Sequence, residues 1–244
     1  MFTYLLIRKS AVYSVIGVAF DGTNDYLTRG AGLTGASDNT QGLISFWFKF
    51  TGGDGVKQTI FNSATSDRIN IFKDTDNKIY IILNQGDDTV CLNMNTTSTY
   101  TADSTWHHFC ASWDMSNGLE ALFVDDASDK TLTSNIAKLP DWTDTDFTMG
   151  ADTAAANKLN AEIADFYLED GSVIFPMSTV SNRRKFISTT SKPVNLGSDG
   201  SAPTGSIPIV FFHGPLDTWH TNDGNGGGFT ENGTLTAAAN SPSD

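Results

Sequence analysis

Apolar and polar residues alternate along this chain in short runs, and runs at helical spacing are almost absent. The pattern predicts strands over 15–20, 26–28, 43–50, 58–62, 68–73, 78–84, 89–94, 106–114, 119–124, 147–150, 161–169 and 208–213. Between them lie "DGTND", "GGDG", "DTDN", "QGDD", "MSNG" and "DDASD", built from residues that tolerate tight turns. Many short strands at this spacing predict an all-β fold, a two-sheet antiparallel jelly-roll sandwich. No fixed-period repeat interrupts the pattern, which argues against a propeller or a solenoid.

The stretch "WHHFCASWD", residues 106–114, shows what the alternation decides. Its adjacent histidines could be read as a metal or acid/base pair. In a strand, successive side chains point to opposite faces. Trp106, His108, Cys110 and Ser112 then share one face, and His107, Phe109, Ala111 and Trp113 share the other. The two imidazoles cannot meet on one ion, and both faces are apolar enough for an interior strand. The following "DMSNG" predicts a hairpin to 119–124, with Asn117 and Gly118 able to supply positive φ.

Composition narrows the function classes. The 244 residues suffice for one large β domain, and the formal net charge of −13 argues against nucleic-acid binding, which needs a basic face. The run Arg183-Arg184-Lys185 is too short to reverse this and reads as a solvated or salt-bridged patch. Cys91 and Cys110 make no metal-ligand spacing and read as small buried residues, with a bridge open to them if their strands are neighbours. At the N-terminus, residues 2–7 are apolar ahead of Arg8 and Lys9, an order that suits an arm or first strand better than a signal peptide. The apolar runs are too short to cross a membrane, so no membrane insertion is expected.

The hairpin "WHHFCASWDMSNGLEALFVDD" resembles the corresponding hairpin of laminin-G-like, concanavalin A-like jelly rolls. "VAFDGTNDYLT", "GLISFWFKF" and "MGADTAAANKLNAEIADFYLEDG" follow that family in order, with Ala164 standing where an acid is common and Asp165 retained. The resemblance covers roughly residues 17–171 and implies a jelly roll over 17–175, preceded by residues 1–16 as an arm or first strand. Beyond it, "RRKF", "LGSDGSAPTG" and "GGGFTENGTLT" within 182–244 resemble the C-terminal region of structural proteins of tailed bacteriophages. That resemblance implies a virion component, assembled in the host cytoplasm. Its partners would be other virion proteins and further copies of itself, to which the lectin-like jelly roll would add a host surface glycan. Residues 176–244 are Gly-rich, with "IPIVFF" their one convincing apolar run. They have too little apolar area for a core of their own and are expected to pack on the sandwich or on a neighbouring subunit.

Two functions follow from such a fold. A lectin-like virion protein, in capsid decoration or on a tail or fibre, would use loop aromatics as stacking platforms or subunit contacts, and Trp142, Trp219 and Phe229 are the candidates. The alternative is a laminarinase-like glycoside hydrolase, which needs two carboxylates flanking the sugar bond, roughly 5–10 Å apart. In "AEIADFYLED", strict alternation puts Glu162, Ala164 and Phe166 on one face and Asp165 and Glu169 on the other, so no hydrolase arrangement forms and no enzyme is expected. No nucleophile elbow or phosphate loop is present either. No cofactor is called for, although the acidic "DGTND" and "DTDN" turns have the oxygen chemistry to hold calcium.

Overall fold

The computed structural model describes residues 13–63, 68–171 and 175–244. In chain order the strands are β1 (Val18–Asp21), β2 (Tyr26–Arg29), β3 (Gln41–Phe50), β4 (Gln58–Ser63), β5 (Ile69–Lys73), β6 (Ile79–Asn84), β7 (Val90–Thr96) and β8 (His107–Asp114). They continue with β9 (Leu119–Val124), β10 (Ala127–Ser128), β11 (Lys130–Asn135), β12 (Phe147–Met149), β13 (Asn160–Glu169), the short helix α1 (Val180–Arg183), β14 (Val210–Phe212), β15 (Thr230–Asn232) and β16 (Thr236–Ala237). The first sheet runs β10-β9-β8-β3-β13-β1-β16, with β14 beside β13, and the second runs β11-β7-β6-β5-β4-β12-β2-β15. All pairings between these strands are antiparallel. The molecule is thus the expected all-β sandwich of two antiparallel eight-stranded sheets. Residues 1–12 of the expected arm lie outside the described residues.

Alternation explains what holds the sheets together. Phe46 and Phe48 of β3, Phe109 and Trp113 of β8 and Ile163 of β13 face inward and meet Phe61, Ile71, Ile81 and Met94 of the second sheet. Phe46 stacks on Phe109 at 4.9 Å and on Phe166 at 5.7 Å, and Phe166 meets Phe61 across the interface at 5.5 Å. Burying one such ring stabilises by about 1.5–3 kcal/mol. The β8–β9 hairpin forms over the expected turn, where Gly118 takes φ +66° and the Asn117 amide donates to the Asp114 carbonyl at 3.2 Å. His107 and His108 point to opposite faces: His107 bonds Asp125 at 2.6 Å, while His108 lies on the outer face against Ser45 at 2.8 Å and Trp47. Burial lowers the His108 pKa to about 3. Cys91 and Cys110 sit in different sheets and are free.

The outer face of the first sheet is covered for the most part by residues 175–213, and around Trp47 and Glu162 by Val15, Trp106 and residues 239–240. Leu43, Cys110 and Tyr167 of the sheet pack against Met177, Phe186, Leu196 and Phe211 of this extension. The basic run fastens it. Arg183 donates to Asp126 at 2.6 Å and to the Met177 carbonyl at 2.6 Å, Arg184 also bonds Asp126, and Lys185 donates to the Pro203 carbonyl. Beyond the extension, the chain crosses the end of the sandwich, inserts Trp219, and adds β15 to β2 and β16 to β1.

Candidate functional site

Strand β13 holds the carboxylates weighed for catalysis, and the structure corrects their placement. Asp165 takes φ +46°, and the register against β3 slips between Ala164 and Tyr167. This β-bulge inserts one residue and reverses the phase of the strand. Ala161 and Ile163 face the core before it, and Phe166 and Leu168 face the core after it. Glu162 and Phe166 therefore do not share a face, and Glu162 lies on the outer side with Tyr167 and Glu169.

These acids are not open to a substrate. Glu162, Asp165 and Glu169 are 5%, 2% and 1% exposed. Glu162 pairs with Lys49 at 2.5 Å. Asp165 accepts from His213 at 2.7 Å and from the Tyr13 hydroxyl at 3.3 Å. Glu169 accepts from the Tyr167 hydroxyl at 3.3 Å. Burial raises the pKa of Asp165 against the pull of His213. For the imidazole of His213, burial opposes charging, but the hydrogen bond and charge of Asp165, with the charge of Asp223, together outweigh it and raise its pKa.

The aromatic candidates are corrected as well. Trp142 and Trp219 are fully buried and Phe229 is 5% exposed. Trp142 lies parallel to Trp113 at 6.4 Å, and Trp219 stacks on Phe212 at 5.0 Å, with Phe229 edge-on to Phe212. Their loops fold back over the end of the sandwich and turn these rings into core. They offer no face to a glycan.

The outer face of the second sheet has a different character. Ile69, Ile71, Ile79, Ile81, Leu83, Leu92 and Met94 point inward, so Asn70, Phe72, Tyr80, Ile82, Asn93 and Asn95 point outward. Register lines them up in two rows, Asn70–Ile82–Asn93 and Phe72–Tyr80–Asn95. Phe72 and Tyr80 stack at 5.3 Å with 13° between their planes, and the Lys57 ammonium sits 4.4 Å over Phe72. Tyr80 donates to Asp76, and burial followed by that contact pushes its pKa up to about 12. Asn70 Oδ1 and Asn93 Oδ1 are buried without a hydrogen-bond partner among the described residues, and Asn70, Phe72 and Asn95 are buried as whole residues. Tyr80, Ile82 and Asn93 remain partly exposed. Amides that can donate and accept, beside an aromatic pair, suit the hydroxyls and C–H faces of a sugar. The sequence signal for this face lies in "INI" and "LNMN", where amides alternate with core residues, and it is quieter than that of the loop aromatics.

Residues 21–173 match a laminin-G model of the concanavalin A-like lectin/glucanases superfamily. The chain belongs to this superfamily. Similar solved structures span nearly the whole of this concanavalin A-like chain. A heptameric SAP-like pentraxin from Limulus polyphemus aligns at 14% identity over 92% of this chain and 95% of the other, with a TM-score of 0.55. A candidate carbohydrate-binding protein from Bacteroides ovatus aligns at 11% identity over 94% of this chain and 62% of the other, with a TM-score of 0.62. At such identities the likeness shows the fold alone. No curated protein matches the chain in sequence.

Within this concanavalin A-like sandwich, the acidic turns are occupied by backbone amides. Asp21 accepts from the amides of Thr23 and Asn24, and Asp25 from that of Thr234. Asp74 and Asp76 accept from Thr75 and Lys78. Among the described residues no three His, Cys, Asp or Glu side chains gather around a point that could hold a metal ion.

Proposed function

We propose that this chain is a non-catalytic recognition protein on the surface of a tailed-phage particle, binding host glycan on the outer face of its second sheet. One observation carries the reading. The extension, with Tyr13 and residues 239–240, buries the acids of β13 on the outer face of the first sheet, while the outer face of the second sheet stays accessible at Tyr80, Ile82 and Asn93. The virion assignment rests on the resemblance of residues 182–244 to tailed-phage structural proteins. A net charge of −13 suits the outside of a particle whose DNA it would repel. Leu119, Leu132, Ile136 and Leu139, 60%, 40%, 44% and 50% exposed, give apolar contact to neighbouring copies or other virion proteins.

The test is titration of the purified chain with a panel of β-glucans and host polysaccharides, beside the variants Tyr80→Ala and Asn93→Ala. Binding that both variants weaken by tenfold or more supports the site. Turnover of any glycan, or binding untouched by either change, overturns it. For the virion part, particles washed in molar salt should retain the chain, because apolar contacts are not screened. Ready release would contradict that interface.

A further inference from the structure

Lys49, Glu162 and Asn240 come together where β3, β13 and the C-terminal tail meet. Lys49 and Glu162 are register partners on adjacent strands, each 5% exposed and in contact at 2.5 Å. The Lys49 ammonium also donates to Asn240 Oδ1 at 2.7 Å, and the Trp106 indole N–H donates to the same oxygen at 2.9 Å. Lys49 Nζ lies 5.3 Å from the centre of the Trp106 ring. Glu162 Oε1 accepts the Ala239 amide at 3.1 Å, which fixes the residue before Asn240. Asn240 borders a cleft of about 270 Å³ lined by Trp106, Ser191, Lys192 and Pro242.

A buried Lys–Glu pair is expensive to desolvate, and its replacement by apolar residues is often neutral or stabilising. Here the pair is aimed at a carboxamide whose oxygen already receives two donors. We propose that Lys49 and Asn240 join in an autocatalytic isopeptide bond, with Glu162 as the proton relay and Trp106 as the oxyanion donor. Glu162 takes a proton from the Lys49 ammonium and frees its lone pair. Nζ then attacks Asn240 Cγ, and the negative charge that develops on Oδ1 is held by the Trp106 N–H. Collapse forms Nζ–Cγ and breaks Cγ–Nδ2. Of the three ammonium protons, one stays on the new amide and two leave with Nδ2 as ammonium, relayed through Glu162, which ends as it began. Nothing is oxidised or reduced, and no further reactant enters.

Geometry favours the step. Three elements hold amine, base and carboxamide within hydrogen-bond distance, the condition under which an intramolecular reaction gains most over its bimolecular counterpart. The cleft lets the small leaving group out to solvent. The product would tie the tail to β3 across the top of β13.

The experiment is intact-mass measurement of the full chain in denaturant after incubation at neutral pH, followed by peptide mapping. The expected chain is lighter than its sequence by one ammonia, about 17 Da, with one branched peptide joining the segment around Lys49 to the segment around Asn240. Lys49→Ala and Asn240→Ala should both return the full sequence mass, and Glu162→Gln should slow the loss at least tenfold. The wild-type mass decides even if a Lys49 variant folds poorly, and Asn240 stands at the surface, where its removal spares the core. A wild-type chain that keeps its full mass overturns the proposal. So does ammonia loss without a branched peptide, which would mark cyclisation of Asn240 onto Ser241. A Glu162→Gln chain that links at the wild-type rate removes Glu162 from its role.

Discussion

Replacing Phe186 with Ala asks whether the extension is part of the folding unit or a cover laid upon it. Phe186 is 2% exposed, meets Tyr167 of β13 edge-on at 5.2 Å and packs among Met177, Leu196 and Phe211. Truncating a buried Phe costs about 3–5 kcal/mol, and this site, on an outer face under a single layer of chain, belongs at about 3. Unfolding entropy of ~2.1 cal/mol/K per residue gives a chain of 244 residues about 0.5 kcal/mol/K, so the melting temperature should fall by about 6 °C. Guanidinium denaturation followed by tryptophan fluorescence and far-ultraviolet circular dichroism provides the assay. Trp47 lies in the apolar patch with Ile187 of the extension, whereas Trp113, Trp142 and Trp219 lie in the core between the sheets. One folding unit requires both probes to shift together with an unchanged slope. A loss under about 1 kcal/mol, or an early separate transition, would refute the reasoning.

Three further outcomes are expected. His108 has a folded pKa lowered by burial to about 3, so its contribution to stability is present above its unfolded value of about 6.5 and is lost as pH falls through that window, by about 4–5 kcal/mol in all. His107, raised chiefly by its bond to Asp125, acts with the opposite sign, so the comparison is between wild type and His108→Gln, which should lose less stability between pH 6.5 and 4. Asp126→Ala strips the partner from the buried Arg183 and should destabilise by about 3 kcal/mol, with faster amide exchange concentrated in residues 175–213; unchanged exchange there would contradict the clamp. Burial pushes the Cys110 thiol up to about 12 and also raises Cys91, so neither should react with a thiol reagent until the chain unfolds, and both should react in denaturant.

Strands with a strict apolar phase are legible in the sequence. Each expected strand is present with ends moved by a few residues, because burial on one or both faces leaves period-two alternation little freedom. The strands that the pattern does not reveal lack that constraint. β11, "KTLTSN", is an edge strand with largely exposed side chains, and β15 and β16 are short pairings made by backbone to partners about two hundred residues away. The facing of β13 fails at one residue: Asp165 in a left-handed conformation inverts everything after it, and an Asp in mid-strand announces no such turn. Trp142, Trp219 and Phe229 sit in loop-like sequence, and their burial depends on where distant chain returns. The candidate face of the second sheet is readable from its alternating amides, whereas the meeting of Lys49, Glu162 and Asn240 depends on the path of the tail.

That path also sets an order of events during synthesis. β1 and β2 leave the ribosome well before the neighbours that close their outer sides, β16 and β15, which are made about two hundred residues later. Through that interval both sheets carry a bare edge on the same flank, with unpaired N–H and C=O groups open to any other nascent chain. Crowding of chains on one messenger should therefore favour exchange of the tail between molecules. Slow translation after residue 213 would lengthen the interval in which such exchange can occur.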